Sequence, residues 1–187
     1  MRKLYLFDCF GVVVSDVSTQ WMDRHLDEKD KQYVRNELFR KVDTAAMSQD
    51  EMYQQLAARY GMSKQAIIDE WEQLIYPKLD TVEVIKRLRQ QGNVVALLSN
   101  ASVEYVDYLF TKFDLHKYFD KIFVSARYKF AKPDREFYQI CLDSFTEQFE
   151  KIYFTDDNPN NLTNLDELCI TPILFESAEQ FLKDVTE

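Results

Sequence analysis

Lys3-Leu4-Tyr5-Leu6-Phe7-Asp8-Cys9-Phe10-Gly11-Val12-Val13-Val14 is the stretch on which the fold turns. Its apolar residues form a continuous run, the pattern of a strand covered on both faces. The carboxylate Asp8 interrupts the run, and Gly11 follows three residues later. Open α/β sheets bind ligands in the crevice beyond the carboxyl ends of their strands, so Asp8 is the first candidate for chemistry. Taken alone, an Asp at a strand end is more often a turn former or a helix cap.

From Ser15 to Asp80 the chain reads as consecutive helices. Ser48-Gln49-Asp50-Glu51 is a capping box, and Gly61 closes the helix that it opens. Met52, Leu56, Ala57 and Tyr60 fall on one face of that helix. Ser63 begins another, with Ile67, Trp71, Leu74 and Ile75 as its apolar stripe, and Pro77 ends it. Trp21, Leu26, Tyr33, Leu38 and Phe39 suggest earlier helical faces.

From Thr81 the pattern alternates. A helix over 81–91 stops at Gly92, and 93–98 is a buried strand. A helix over 102–113 leads to a short strand, 121–124. Pro133 is expected to open a helix at its first position. A strand over 151–154, a helix over 161–168, a strand over 172–175 and a helix over 177–185 complete the series. Alternating strands and helices predict a parallel sheet with helices on both faces. The expected fold is therefore α/β, with a discontinuous core of residues 1–14 and 81–187 and an inserted helical lid, 15–80.

A net charge of −9 disfavours nucleic acid as a partner, and likewise an anionic membrane surface. Hydrophobic residues at 46% argue against disorder. Three cysteines without metal-like spacing, and no leader-like segment after Met1, lead to an expectation of a reducing, cytoplasmic setting. Cys9 reads as a buried, inert thiol.

Three further polar groups close segments of the core. Leu98-Ser99-Asn100 puts a hydroxyl and an amide at one strand end. Ala131-Lys132-Pro133-Asp134 puts an ammonium before a helix. Phe154-Thr155-Asp156-Asp157-Asn158 puts two adjacent carboxylates at another strand end. In a parallel sheet these ends converge. Asp8, Asp156 and Asp157 are hard oxygen ligands suited to Mg2+. Asp8 is also a side chain able to form a covalent phospho-enzyme. Ser99 and the backbone around it would donate to phosphoryl oxygens, and Lys132 would supply positive charge. Singly, each residue has an ordinary reading as a turn, a cap or a surface charge. Together and in this order they favour function.

With these motifs the chain resembles the haloacid-dehalogenase-like (HAD) hydrolase superfamily. The matching segments are Phe7-Asp8-Cys9-Phe10-Gly11-Val12, Leu98-Ser99-Asn100, Lys132-Pro133-Asp134 with Phe137-Tyr138, and Phe154-Thr155-Asp156-Asp157-Asn158 with Asn161. The helical insertion is similar to the small cap of the family's subclass I, and the likeness extends to glucose-1-phosphatase-like sugar phosphatases. The resemblance implies a Rossmann-like three-layer core and Mg2+-dependent phosphatase activity through an aspartyl-phosphate, on a small phosphorylated metabolite such as a sugar phosphate. It implies Asp8 as nucleophile, and Ser99 and Asn100 as phosphoryl binders. It implies Lys132 as the lysine that orients nucleophile and phosphate. The implied metal ligands are Asp8, the backbone carbonyl of Phe10, Asp156 and Asp157.

One position departs from that pattern. Most family phosphatases carry a second Asp two residues after the nucleophile, as general acid and base; here it is Phe10. General acid catalysis is typically worth ~10²–10⁴-fold, and phenylalanine has no proton to give. Two alternatives follow: a 2-haloacid dehalogenase, in whose family an aromatic stands at this position, and a catalytically weak HAD protein that binds phosphate. A phosphorylated receiver domain fits less well, because there the acidic pair precedes the accepting Asp.

Overall fold

The computed structural model describes residues 1–185. β1 (Leu4–Phe7) is the apolar run of the opening stretch, and all four residues are buried. Tyr5 and Phe7 pack into one hydrophobic cluster and Leu4 and Leu6 into another. The strand's two-residue period thus divides one apolar run between two layers.

The helical segment follows. α1 (Val17–His25) is capped by Asp16. α2 (Glu28–Tyr33) continues through a π-helical stretch, Val34–Phe39, into α3 (Arg40–Asp43). α4 (Gln49–Tyr60) has the expected capping box and ends at Gly61 in the left-handed conformation. α5 (Lys64–Leu74) is capped by Ser63. On α4 the buried residues are Met52, Tyr53 and Leu56, whereas Tyr60 is only partly buried. The two connections to the sheet run side by side, with Val14 bridging Pro77 and the Ser15 hydroxyl donating to the Leu74 carbonyl at 2.8 Å. Apolar residues of this segment, including Trp21, Met52 and Trp71, share one continuous cluster with Tyr5 and Phe7 of the sheet.

α6 (Leu79–Gln90) starts two residues before the expected helix. β2 (Val94–Ser99), α7 (Val103–Lys112) and β3 (Lys121–Val124) follow. After α8 (Ser125–Tyr128), which the sequence reading lacks, come α9 (Arg135–Asp143), β4 (Ile152–Asp156), β5 (Ile170–Leu174) and α10 (Ala178–Asp184). The five strands are all parallel, in the order β3-β2-β1-β4-β5. The chain builds outward from β1 on one side, then returns to the other. The switch point therefore lies between β1 and β4, where ligands of open sheets bind.

Two expectations are corrected. Residues 161–168 form no α-helix; two short 3-10 turns, Pro159–Leu162 and Asp166–Leu168, stand there. Asn and Thr side chains take up local backbone groups, as where Thr163 Oγ1 donates to the Asn160 carbonyl, and Asn164 turns left-handed at φ 58. Pro133 does not occupy the first position of a helix. It follows a cis peptide bond and precedes Asp134, the cap of α9, whose ψ of 126 is not helical.

The cap of α4 offers a local test. Ser48 Oγ accepts from Glu51 N at 3.1 Å, and Glu51 Oε2 accepts from Ser48 N at 2.8 Å. Ser48→Ala is expected to lower the unfolding free energy by about 1 kcal/mol. Urea titration measures this, and unchanged stability would mean that packing alone holds the start of α4.

Candidate active site

Asp8 follows the last residue of β1, and Asp156 is the last residue of β4. Phe7 pairs with Thr155, and Asp8 N donates to the Thr155 carbonyl at 2.9 Å. Parallel register therefore sets the two carboxylates side by side across the switch point. One carboxylate oxygen from each of Asp8, Asp156 and Asp157 lies within 4.8 Å of the other two. Lys132 Nζ inserts between two of them, donating to Asp8 Oδ1 at 2.7 Å and Asp156 Oδ2 at 2.6 Å. Its side chain is 0% exposed.

The surroundings hold this geometry. Asp156 Oδ1 accepts from Asn158 N at 2.8 Å, and Oδ2 accepts from Asn161 Nδ2 at 3.0 Å as well as from Lys132. Asn100 clamps the Lys132 backbone from both sides: Nδ2 donates to the carbonyl at 2.9 Å, and Oδ1 accepts from the amide at 2.8 Å. Gly11, at φ +79, approaches Asp157 so closely that a Cβ there would lie 2.0 Å from Oδ2.

The charges are unbalanced. Burial lifts Asp8 well above the usual carboxylate range, Asp156 adds to this, and Lys132 opposes it. Burial also lifts Asp157 to about 6, with Asp156 and Asp16 contributing. Burial alone would lower Lys132, but Asp156 and Asp8 outweigh it and hold the ammonium charged. Three carboxylates thus face one buried ammonium. The Phe10 carbonyl accepts no hydrogen bond among the described residues. Clustered hard oxygens, excess negative charge and a free carbonyl fit a divalent cation such as Mg2+. Cys9 is fully buried; burial and the neighbouring Asp8 push its thiol up, so it stays protonated.

A cavity of about 870 Å³ opens over this cluster. Asp8, Asn100, Lys132, Asp157 and Asn161 reach its wall from the sheet side. Arg35, Phe39, Arg40, Asp43, Met52 and Trp71 reach it from the helical segment. Arg40 ties the two sides together, donating to Asp134 Oδ2 at 2.6 Å and to the Ala131 carbonyl at 3.2 Å.

The two residues expected to bind the phosphoryl group sit differently in this structure. Ser99 ends β2 as anticipated, but it is 0% exposed, lines no part of the cavity, and its hydroxyl has no hydrogen-bond partner. Its hydroxyl lies beside the Cys9 thiol. Asn100 lines the cavity, yet both ends of its carboxamide are committed to Lys132, so its side chain positions the lysine. Arg35, Arg40 and Asp43 escaped the sequence reading. They belong to no motif, and their helices carry no spacing that marks a ligand-facing side.

A Rossmann-like parallel sheet with a nucleophile-type Asp after β1, a lysine bridging it to an acidic strand end, and helices inserted after β1 define a class of hydrolase. A family model described as haloacid dehalogenase-like hydrolase matches residues 2–164, and the chain belongs to that family. Among curated relatives, drimenol cyclase drtB of Aspergillus calidoustus is 28% identical over 164 residues, 83% of this chain and 30% of that protein. The chain therefore spans less than a third of that relative's length. Sesquiterpene phosphatase astK of Aspergillus oryzae is 25% identical over 167 residues, 86% of this chain and 83% of that one. Among solved structures, HAD family enzyme BT-2542 of Bacteroides thetaiotaomicron has the same fold, with a TM-score of 0.77 and 19% identity over 100% of this chain and 98% of its own. Its complex with magnesium and inorganic phosphate gives 0.74, with 19% identity over 94% and 95% of the two chains. Among the described residues no helix is long and apolar enough to cross a membrane.

Proposed function

We propose that the protein is a Mg2+-dependent phosphatase that hydrolyses a small phosphate monoester through an aspartyl-phosphate on Asp8. The observation that carries this reading is the buried Asp8–Lys132–Asp156 bridge with Asp157 beside it at the floor of the cavity. Lys132 fixes one Asp8 oxygen, leaving the other free to attack phosphorus. Asp156, held by Asn158, Asn161 and Lys132, keeps that lysine in place. Asp8, Asp157 and the Phe10 carbonyl would hold the cation, with Asp156 next to them. Bound there, Mg2+ would offset the charge of the phosphoryl group and of the carboxylates. Residues 15–80 act as a cap over a core of 1–14 and 81–185, and the substrate's organic part lies between the two.

A sugar phosphate is one substrate class for this site. A second is favoured by a specific observation: Phe10, Met22, Phe39, Met52 and Trp71 give the cavity an apolar side. That wall suits the phosphate of an apolar alcohol, consistent with similarity to a protein named a sesquiterpene phosphatase.

The test is a panel of sugar phosphates and apolar alkyl phosphates, assayed with Mg2+ and with chelator. Phosphate release is expected to vanish on chelation and in Asp8→Asn. Turnover indifferent to both would overturn the reading. Halide release from 2-chloropropionate without metal would replace it with the dehalogenase alternative.

A further inference from the structure

Phe10 leaves the leaving group without its usual acid. Its ring stacks on Tyr105, 5.8 Å between centroids. The Tyr105 hydroxyl is buried without a partner, and burial raises it far above its usual range, which makes it a much weaker acid than a carboxyl. The other ionisable groups in the cavity wall are Asp8, Asp16, Arg35, Arg40, Asp43, Lys132 and Asp157.

Most of these have other work. Asp8 and Asp157 belong to the acidic cluster. Asp16 caps α1, with its carboxyl engaged by Thr19 N at 3.0 Å and Ser18 Oγ at 2.9 Å. Lys132 is locked between two carboxylates, and a guanidinium does not deprotonate. Both histidines lie outside the cavity wall: His25 bonds Glu70, and His116 packs on Phe110.

Asp43 remains. It ends α3, one turn beyond Arg40, whose guanidinium grips the loop that carries Lys132. No hydrogen bond or ion pair engages its carboxyl among the described residues. Burial raises it to about 7, against the opposing charges of Lys132 and Arg40.

We infer that Asp43 is the general acid and base of this hydrolase, supplying from the helical segment the proton that Phe10 cannot. The inference rests on the phosphatase reading above. As an Asp8 oxygen bonds to phosphorus, the bond from phosphorus to the alcohol oxygen breaks, and its electron pair stays on that oxygen. The oxygen takes the proton of the Asp43 carboxyl. A water molecule then attacks the phosphorus of the aspartyl-phosphate and gives a proton to the Asp43 carboxylate. The bond from phosphorus to Asp8 breaks, and its pair returns to the Asp8 carboxylate. One ester and one water become alcohol and phosphate, with Asp43 protonated again.

The test compares kcat/KM of wild type and Asp43→Asn, with Mg2+, on 4-nitrophenyl phosphate and on a primary alkyl phosphate. Nitrophenolate leaves without a proton, whereas an alkoxide does not. Asp43→Asn is expected to lose ~10²–10⁴-fold on the alkyl ester and only a few-fold on the aryl ester. In wild type the alkyl rate should fall as pH rises through about 7, where Asp43 loses its proton; in Asp43→Asn that fall should disappear. Asp43→Glu should recover part of the alkyl rate. The retained aryl rate reports that the variant is folded. Equal losses on the two esters, or no loss on either, would overturn the inference while leaving the phosphatase reading intact. Wild-type activity that survives Asp8→Asn would instead remove the reading beneath it.

Discussion

Lys132→Met is expected to cost the protein about 3–5 kcal/mol of stability, the range for breaking a buried ion pair by removing one partner. The lysine side chain is fully enclosed and bonds Asp8 and Asp156 at 2.7 and 2.6 Å. Methionine fills much of its volume but returns no charge. Two carboxylates would then face each other in a dry site with nothing between them. A domain has only ~5–15 kcal/mol in total, so the loss should show plainly in urea unfolding at pH 7.

The pH dependence gives a sharper check. The Asp8 carboxyl is already raised by burial and by Asp156, and removing the ammonium raises it further. The native variant therefore binds more protons than the unfolded chain, and its stability must fall as pH rises from the acid range toward neutrality. The gap between Lys132→Met and wild type should be smallest in acid, where the Asp8 carboxyl is protonated, and widest at neutral pH. A gap that does not change with pH would show that packing, not charge, sets the cost. Activity should fall by at least ~10²-fold, as when one preorganised charge is removed from a transition state.

Gly11→Ala is the second large effect. At φ +79 any side chain is strained, and the new Cβ would fall 2.0 Å from Asp157 Oδ2 and 2.5 Å from its Cγ. Both cannot stand, so the Asp157 carboxylate must leave its place beside Asp8 and Asp156. The expected result is a rise of roughly tenfold or more in the Mg2+ concentration for half-maximal activity, with a stability loss of about 1–3 kcal/mol from the backbone. Gly92→Ala is the control. Gly92 has φ +85 and nothing within 4 Å of the added atom. It should show the same backbone strain with unchanged metal dependence. If both variants shift the Mg2+ response alike, the approach of Gly11 to Asp157 has no functional consequence.

The sheet was legible for a simple reason. A strand covered on both faces must be apolar throughout, and a two-residue period then serves both layers, so Leu4–Phe7 and Val94–Ser99 declare themselves locally. The capping box at Ser48 and the closing Gly61 are equally local chemistry. Residues 161–168 misled because their apolar spacing is helical, while the Thr163 hydroxyl donates to the Asn160 carbonyl and Asn164 turns left-handed. Pro133 misled because helix-start preference says nothing of the cap at Asp134.

The site divides along the same line. The sequence alone determined that Asp8, Asp156 and Asp157 stand at strand ends of one parallel sheet and Lys132 just before a helix, since strand direction and chain order suffice to bring such ends together. Only the tertiary structure decided what each side chain does there. It encloses the Ser99 hydroxyl, turns the Asn100 amide onto the Lys132 backbone, presses Gly11 against Asp157, and brings Arg40 and Asp43 from a distant helix to the same cavity. These outcomes depend on how elements far apart in the chain pack and which way each side chain turns. Periodicity carries no record of that, because it describes one element at a time.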